Sequence, residues 1–467
     1  SRPLGFAGVS GLYSVSPTAE LAVRMGGRLL GRVPLTGGAP RELRKGVMAA
    51  CWLPDGSSLA ASITEHGKAH IEMPLGTKLV DCAELPQALK VSPDGKRLAY
   101  LARSGITSGW DVQLVEASGE RRLLSGGWPF IQSGGLAFSP DGREVWFAGD
   151  RDGSTSALHA VTLDGRVRLV AQLPTDLVLH DIWKDGRVLL ARETRRSSVA
   201  VRVDGDPADR DLSWLDFSGF GGFTPDGKSV AIVEFGQGGG PSYTTYLRKL
   251  DGSPAVRMTE GGAVISPDGA FLLTMTRNRS RIQVVPVGAG QPRELPGAFE
   301  TVNWMAWFPD GKRVVFHGRE TGHARRVWVQ ETAAGPPRPI TPEGWSLAFS
   351  SRPVSPDGRS VVVVDPDQLP MLVPGEGGPP RPIPGVVAGD VPVQWSQDGR
   401  FLYVDAETLR IFKVDVADGK RVLWRRIETP PDASNVSSGF GIAPDERSYG
   451  YTYQRVLSDL YLVDGLK

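Results

Sequence analysis

Short runs of alternating apolar and polar residues recur along the whole chain, and most pairs of runs are divided by the same turn, Ser-Pro-Asp-Gly or a close variant. The clearest copies are KVSPDGKRLAYLA (Lys90 to Ala102), AFSPDGREVWFAG (Ala137 to Gly149), WFPDGKRVVFHG (Trp307 to Gly318) and PVSPDGRSVVVVD (Pro353 to Asp365). Alternation with a period of two predicts half-buried strands. Within the turn, Pro presets φ, Asp bonds its own backbone two residues on, and Gly supplies the positive φ that lets two strands re-pair.

A second half follows each hairpin: another strand, a Gly- or Pro-rich turn and a short Arg-containing strand. Examples are VQLVEASGERRLL (Val112 to Leu124), QVVPVGAGQPREL (Gln283 to Leu295) and MLVPGEGGPPRPI (Met371 to Ile383). Proline removes a ladder donor, so the last strand is predicted at the outer edge. Eleven such units, three of them worn, succeed one another at a spacing of about 43 residues, the length of a four-stranded propeller blade. The expected fold is therefore all-β, a β-propeller of about eleven four-stranded blades.

That number exceeds the four to eight blades of an ordinary ring. Either the chain forms one large closed ring, or it forms two propellers, 1–208 and 209–467, parted in the acidic stretch Asp204 to Asp211. The last unit, Gly439 to Lys467, reads as three strands, and residues 1–6 resemble the missing outer strand that would complete it.

Composition agrees with this pattern. Gly (58) and Pro (37) are abundant because every unit is punctuated twice, while 40% hydrophobic residues supply the cores. The formal charge of +1 gives no electrostatic case for nucleic acid, and no apolar run is long enough for a membrane span. The chain starts with Ser and is expected to be part of something longer. Cys51 falls on an inner and Cys82 on an outer strand of one blade, roughly 14 Å apart at the usual strand spacing, beyond disulfide reach; two free thiols are expected.

On the residues quoted, and on GGAPREL (Gly37 to Leu43), DLSWLDFS (Asp211 to Ser218), YLRKLDGSPAVRM (Tyr246 to Met258) and RVLSDLYLVDGLK (Arg455 to Lys467), the chain resembles the TolB-like, WD-repeat-like propellers of bacteria. More narrowly, it resembles the C-terminal propeller region of bacterial membrane-anchored serine/threonine protein kinases. The resemblance implies an extracytoplasmic location, periplasmic or at the cell surface, and a sensor that binds a small ligand, a peptide or an envelope protein.

Kinase signatures are not found in this chain: no Gly-rich loop precedes a Val-Ala-Ile-Lys strand, and no His-Arg-Asp loop occurs. No Gly-x-Ser-x-Gly elbow marks a hydrolase. His66 and His70 would chelate a metal only on a helix, and Gly236 to Gly240 has neither dinucleotide nor P-loop spacing. No catalytic residue, cofactor or metal is therefore expected. The candidate binding residues are His180, Asp181 and Trp304, which precede Asp-Gly turns where propeller loops face the channel mouth. A propeller enzyme, hydrolase or lyase, using channel-mouth carboxylates, and the docking propeller of a protease system, are the alternatives.

Overall fold

A computed structural model describes residues 6, 8–26, 28–65, 68–103, 109–151, 155–235, 239, 243–333, 335–348, 352–406 and 409–466. Every sheet in it is antiparallel, and the turn motif shows why. At Ser92-Pro93-Asp94-Gly95, the Ser92 hydroxyl donates to Asp94 Oδ1 (2.5 Å), the same oxygen accepts the Lys96 amide (3.1 Å), and the Ser92 oxygen accepts the Arg97 amide (3.0 Å). Gly95 takes φ of 73°, which an L side chain resists. Ser139, Ser266, Ser355 and Ser396 bond the Asp of their own turns in the same way, and Thr224 replaces Ser at a fifth. The leading Ser or Thr is thus a working part of the turn beside Pro, Asp and Gly.

Nine sheets have four strands in sequence order, as in Val47–Trp52, Leu59–Glu65, Lys68–Glu72 and Lys78–Cys82. The last strand is short where proline enters it: Arg338–Pro339 and Arg381–Pro382 have two residues each and lie at their sheets' edges. Successive sheets share apolar cores. Cys51 and Ile71 of one sheet meet Leu89, Leu98 and Tyr100 of the next, and Trp307 and Phe316 meet Leu273 and Val284 of the sheet before. Full burial of each such aliphatic or aromatic side chain is worth about 1.5–3 kcal/mol, so the sheet-to-sheet faces carry the fold. The protein is an all-β propeller-type structure.

Two compact units divide the chain: residues Ser1–Thr194 with Leu457–Lys467, and Arg195–Val456. The divisions fall inside two 15-residue strands, Val188–Arg202 and Tyr449–Val463, and the acidic stretch Asp204 to Asp211 lies wholly in the second unit. These two strands correct the sequence reading of the C-terminal segment. From Tyr449 onward it is one unbroken strand rather than two, because the Gln454 to Ser458 stretch holds no Gly or Pro to end it.

In the first unit, Asp176–Ile182 pairs with the first part of Val188–Arg202; in the second, Arg210–Asp211 pairs with the last part of that strand, and Asn435–Ile442 with the first part of Tyr449–Val463. In the first unit, Arg192 pairs with Asp459 at 2.7 Å. Of residues 1–6, expected to complete the C-terminal blade, 1–5 lie outside the described residues, and Phe6 packs against Leu21, Val23 and Val33 of the first sheet.

Cys51 is buried on the first and Cys82 half-buried on the last strand of one sheet, and both are thiols. Burial pushes each up to about 11. No helix among the described residues is long and apolar enough to cross a membrane.

Candidate functional site

In the second unit, six inner segments converge on a cavity of about 310 Å³: Gly221–Phe223, Val264–Ile265, Ala306–Trp307, Arg352 with Val354, Gln394–Trp395 and Gly441–Ile442. They are brought together by the sheet-to-sheet cores and by bonds that tie one inner segment to another. Trp307 Nε1 donates to the Val264 carbonyl (3.0 Å), Trp395 Nε1 to the Pro353 carbonyl (3.3 Å), and the Ile442 amide to Gln394 Oε1 (3.0 Å). The turn prolines Pro225, Pro267, Pro309, Pro356 and Pro444 line the same cavity, with Gln397 standing at the sixth proline position. Gln397 instead donates through Nε2 to the Pro444 carbonyl (2.7 Å) and through its amide to Glu446 Oε1 (2.6 Å), neither of which a proline can do.

The described lining is apolar or neutral except for one residue, Arg352. Its backbone forms a parallel bridge with Gln394, and the residue is half-buried. Burial is what lowers its proton affinity below the usual arginine value, although a guanidinium stays charged in proteins. A cation in this low-dielectric surrounding can recognise an anion by charge-assisted hydrogen bonds; it cannot serve as a general base.

A smaller polar pocket of about 210 Å³ in the same unit is lined by Arg196, Arg248, Arg455, Asp211 and Trp214 among others. Its guanidinium groups are already engaged. Arg196 pairs with Asp216 (3.1 Å), Arg455 with Asp432 (2.5 Å), and Arg248 donates to the Ser213 and Ser253 carbonyls.

His180 and Asp181 belong to the first unit, on the inner strand Asp176–Ile182. His180 is exposed, and Asp181 accepts from Lys90 Nζ at 2.7 Å and from the Ile182 amide at 2.9 Å. Trp304 belongs to the second unit, but it is not among the residues lining the cavity. It is the extra residue of a bulge, since Asn303 and Met305 pair with the consecutive His317 and Phe316, and its φ is 35°. That bulge turns Trp304 onto the apolar core around Ala306, Phe308 and Val354.

Arg352 and Gln394 escaped the sequence reading, yet a signal for the first exists. Three residues before the Ser, Thr or equivalent position of the motif, six units carry Leu89, Leu136, Gly221, Ala263, Met305 and Val393; the worn Asp185 unit carries His180 and the Ser355 unit carries Arg352. A polar or charged residue at a repeat position that is apolar or glycine in most units marks a departure from packing. Of the two histidines weighed for a metal, His66 lies outside the described residues and His70 bonds Glu72; no group of three or more metal-ligating side chains occurs among the described residues. The Gly-rich run Gly236 to Gly240 also lies outside them, except for Gly239.

No family model matches the chain, and no curated protein matches it. Among solved structures it is similar to a putative TolB from Agrobacterium tumefaciens, at 17% identity over 56% of this chain and 83% of that one, with a TM-score of 0.26. It is also similar to TolB from Acinetobacter baumannii, at 15% identity over 68% and 75% of the two chains and a TM-score of 0.31. A third similar structure is a puromycin-hydrolyzing peptidase from Mycobacterium tuberculosis, at 16% identity over 67% of this chain and 58% of that one, with a TM-score of 0.37. From its own strands and turns, the chain is a β-propeller protein of repeated four-stranded sheets with a ligand-sized cavity in its second unit.

Proposed function

We propose that this chain is a non-catalytic binding propeller, the extracytoplasmic sensor region of a bacterial serine/threonine kinase. The observation that supports binding most is the cavity where six inner segments meet, which combines largely apolar walls with one half-buried arginine, Arg352. Such a site offers orientation and affinity. A rigid sheet scaffold fixes the recognising groups before the ligand arrives, so little conformational entropy is lost on binding. The kinase connection and the location outside the cytoplasm rest on the resemblance of the turn repeats and of Arg455 to Lys467.

The parent gene tests that connection. Upstream of Ser1 it should encode a Gly-rich loop, a Val-Ala-Ile-Lys type strand and a His-Arg-Asp loop, followed by a hydrophobic span of about 18 or more residues. A parent gene that encodes a hydrolase domain instead would overturn the sensor reading in favour of a propeller that serves an enzyme.

A further inference from the structure

We infer that residues 457–463, the last part of the strand Tyr449–Val463, form a docking edge for a second copy of this chain, which adds its own residues 457–463 in antiparallel pairing across a twofold axis.

The edge exists because one sheet of the first unit is a strand short. Four sheets of that unit have four strands each, whereas the fifth holds, among the described residues, Asp176–Ile182, residues 188–194 and residues 457–463. The third of these strands is fixed in place. Arg192 pairs with Asp459 at 2.7 Å and lies over the Tyr461 ring at 5.9 Å, while Val463 packs with Leu177, Leu179, Val188 and Leu190. On its outer side, Asn435–Ile442 pairs no further along the strand than Gln454, so no described strand takes the outward N–H and C=O groups of residues 457–463. An unpaired row of this kind is a template for another strand.

Side chains make the edge adhesive. Residues 457–462 are all exposed, with Leu457 at 75%, Leu460 at 63%, Tyr461 at 44% and Leu462 at 47%. The outermost strands of the other four sheets each carry a basic residue, Arg41, Lys78, Arg121 and Arg168 among them, and charge on an edge keeps strands from adding to it. Residues 457–463 have no Lys or Arg, and their one charge, Asp459, is already paired. The neighbouring outer strand Val167–Ala171 shares the core of Val463 and adds the exposed Leu169.

Self-complementarity decides the occupant. Antiparallel pairing centred on Leu460 sets Leu460 against the partner's Leu460, Leu457 against the partner's Val463, Ser458 against the partner's Leu462 and Asp459 against the partner's Tyr461. Like charges never face each other, and apolar cross-strand pairs are favourable. Seven residues make a contact smaller than a standard stable interface, so the dimer is weak and depends on concentration.

The test uses the full chain at pH 7. In sedimentation equilibrium from about 1 to about 200 µM, the mass should rise from monomer towards dimer. Leu460→Lys sets two like charges face to face at the axis and should weaken dimerisation about tenfold or more. Leu423→Lys, at an exposed leucine on the outer strand Arg421–Arg426 of the second unit, should leave it unchanged. Mild oxidation reads the register: Leu460→Cys should give a disulfide-linked dimer, since directly opposite residues lie within disulfide reach, and Ser458→Cys should not. The native chain, with its thiols at Cys51 and Cys82, supplies the background.

Should Leu460→Lys fail to fold, the native mass and the two cysteine variants decide. A monomeric mass at every concentration, a dimer unaffected in a folded Leu460→Lys variant, or cross-linking through Ser458→Cys but not Leu460→Cys would each overturn the inference. Dimerisation that appears only after removal of residues 1–5 would assign the edge to the chain's own terminus and overturn it as well. None of these results bears on the cavity or on the kinase connection.

Discussion

Tyr451 donates its phenolic hydrogen to Oδ2 of Asp209 at 2.6 Å, joining residues 242 positions apart in the sequence. Asp209 also holds Arg202 at 2.5 Å, and Tyr451 stands between Tyr449 and Tyr453, with ring centroids 6.3 and 6.0 Å away. The bond therefore fastens the late strand Tyr449–Val463 to a segment laid down at the start of the second unit. Removing the hydroxyl leaves Asp209 its Arg202 partner, so Tyr451→Phe should cost about 0.5–1.5 kcal/mol, the net worth of one hydrogen bond, read as a lower urea midpoint with unchanged slope.

The same bond carries a pH signature. Burial first, and then the Asp209 carboxylate, raise the Tyr451 phenol above its ordinary value. Above about pH 10, where the unfolded phenol ionises, the folded state binds more protons than the unfolded one. Stability must then fall as pH rises, and Tyr451→Phe should remove that part of the alkaline slope. An identical slope in the variant would show that this phenol does not titrate differently on folding.

His317 titrates in the opposite sense. It is 7% exposed on the strand Arg313–Arg319, its Nδ1 has no hydrogen-bond partner among the described residues, and burial, helped by Arg325, pushes its imidazole down to about 4. The unfolded state protonates first, near pH 6.5. Stability is therefore complete above about pH 6.5 and falls as pH drops towards 4, by about 3 kcal/mol in total. Urea unfolding at pH 7 and pH 4.5 should show this loss in the native chain and a reduced loss in His317→Gln.

Each motif turn that begins with Ser or Thr should be separately weakened by loss of that hydroxyl. Ser92→Ala removes the hydroxyl that bonds Asp94 and accepts the Arg97 amide, at an expected cost of about 1–2 kcal/mol, as for loss of a helix cap of similar geometry. The Ser92 hydrogen bond, then the Lys96 amide, hold the Asp94 carboxyl below the usual range. A titration of Asp94 by carbon-13 NMR should therefore give a higher value in Ser92→Ala than in the native chain. An unchanged value would assign the depression to the backbone amide alone.

Much of this fold was legible because its turns are chemical statements. Pro, Asp and Gly at fixed offsets specify a hairpin corner, and proline at Pro339 and Pro382 specifies an edge strand, so strand order within a sheet followed from local residues. The 15-residue strands Val188–Arg202 and Tyr449–Val463 were not legible, since nothing local says which distant strand an unbroken run will pair with. The candidate cavity was hidden for a related reason. His180, Asp181 and Trp304 stand out as residue types, but Asp181 is paired with Lys90 and Trp304 packs on a core, whereas Arg352 looks ordinary until its position in the repeat is compared.

The binding account centres on the cavity lined by Trp307 and Trp395, and the indole N–H signals of the full chain report on it most directly. In nitrogen-15 correlation spectra, assigned by Trp→Phe substitution, a small neutral aromatic probe, benzyl alcohol, which suits apolar walls, should move the Trp307 and Trp395 signals together along one saturable curve and leave Trp110 and Trp128 of the first unit in place. Saturable shifts confined to other tryptophans, with Trp307 and Trp395 unmoved, would contradict the account.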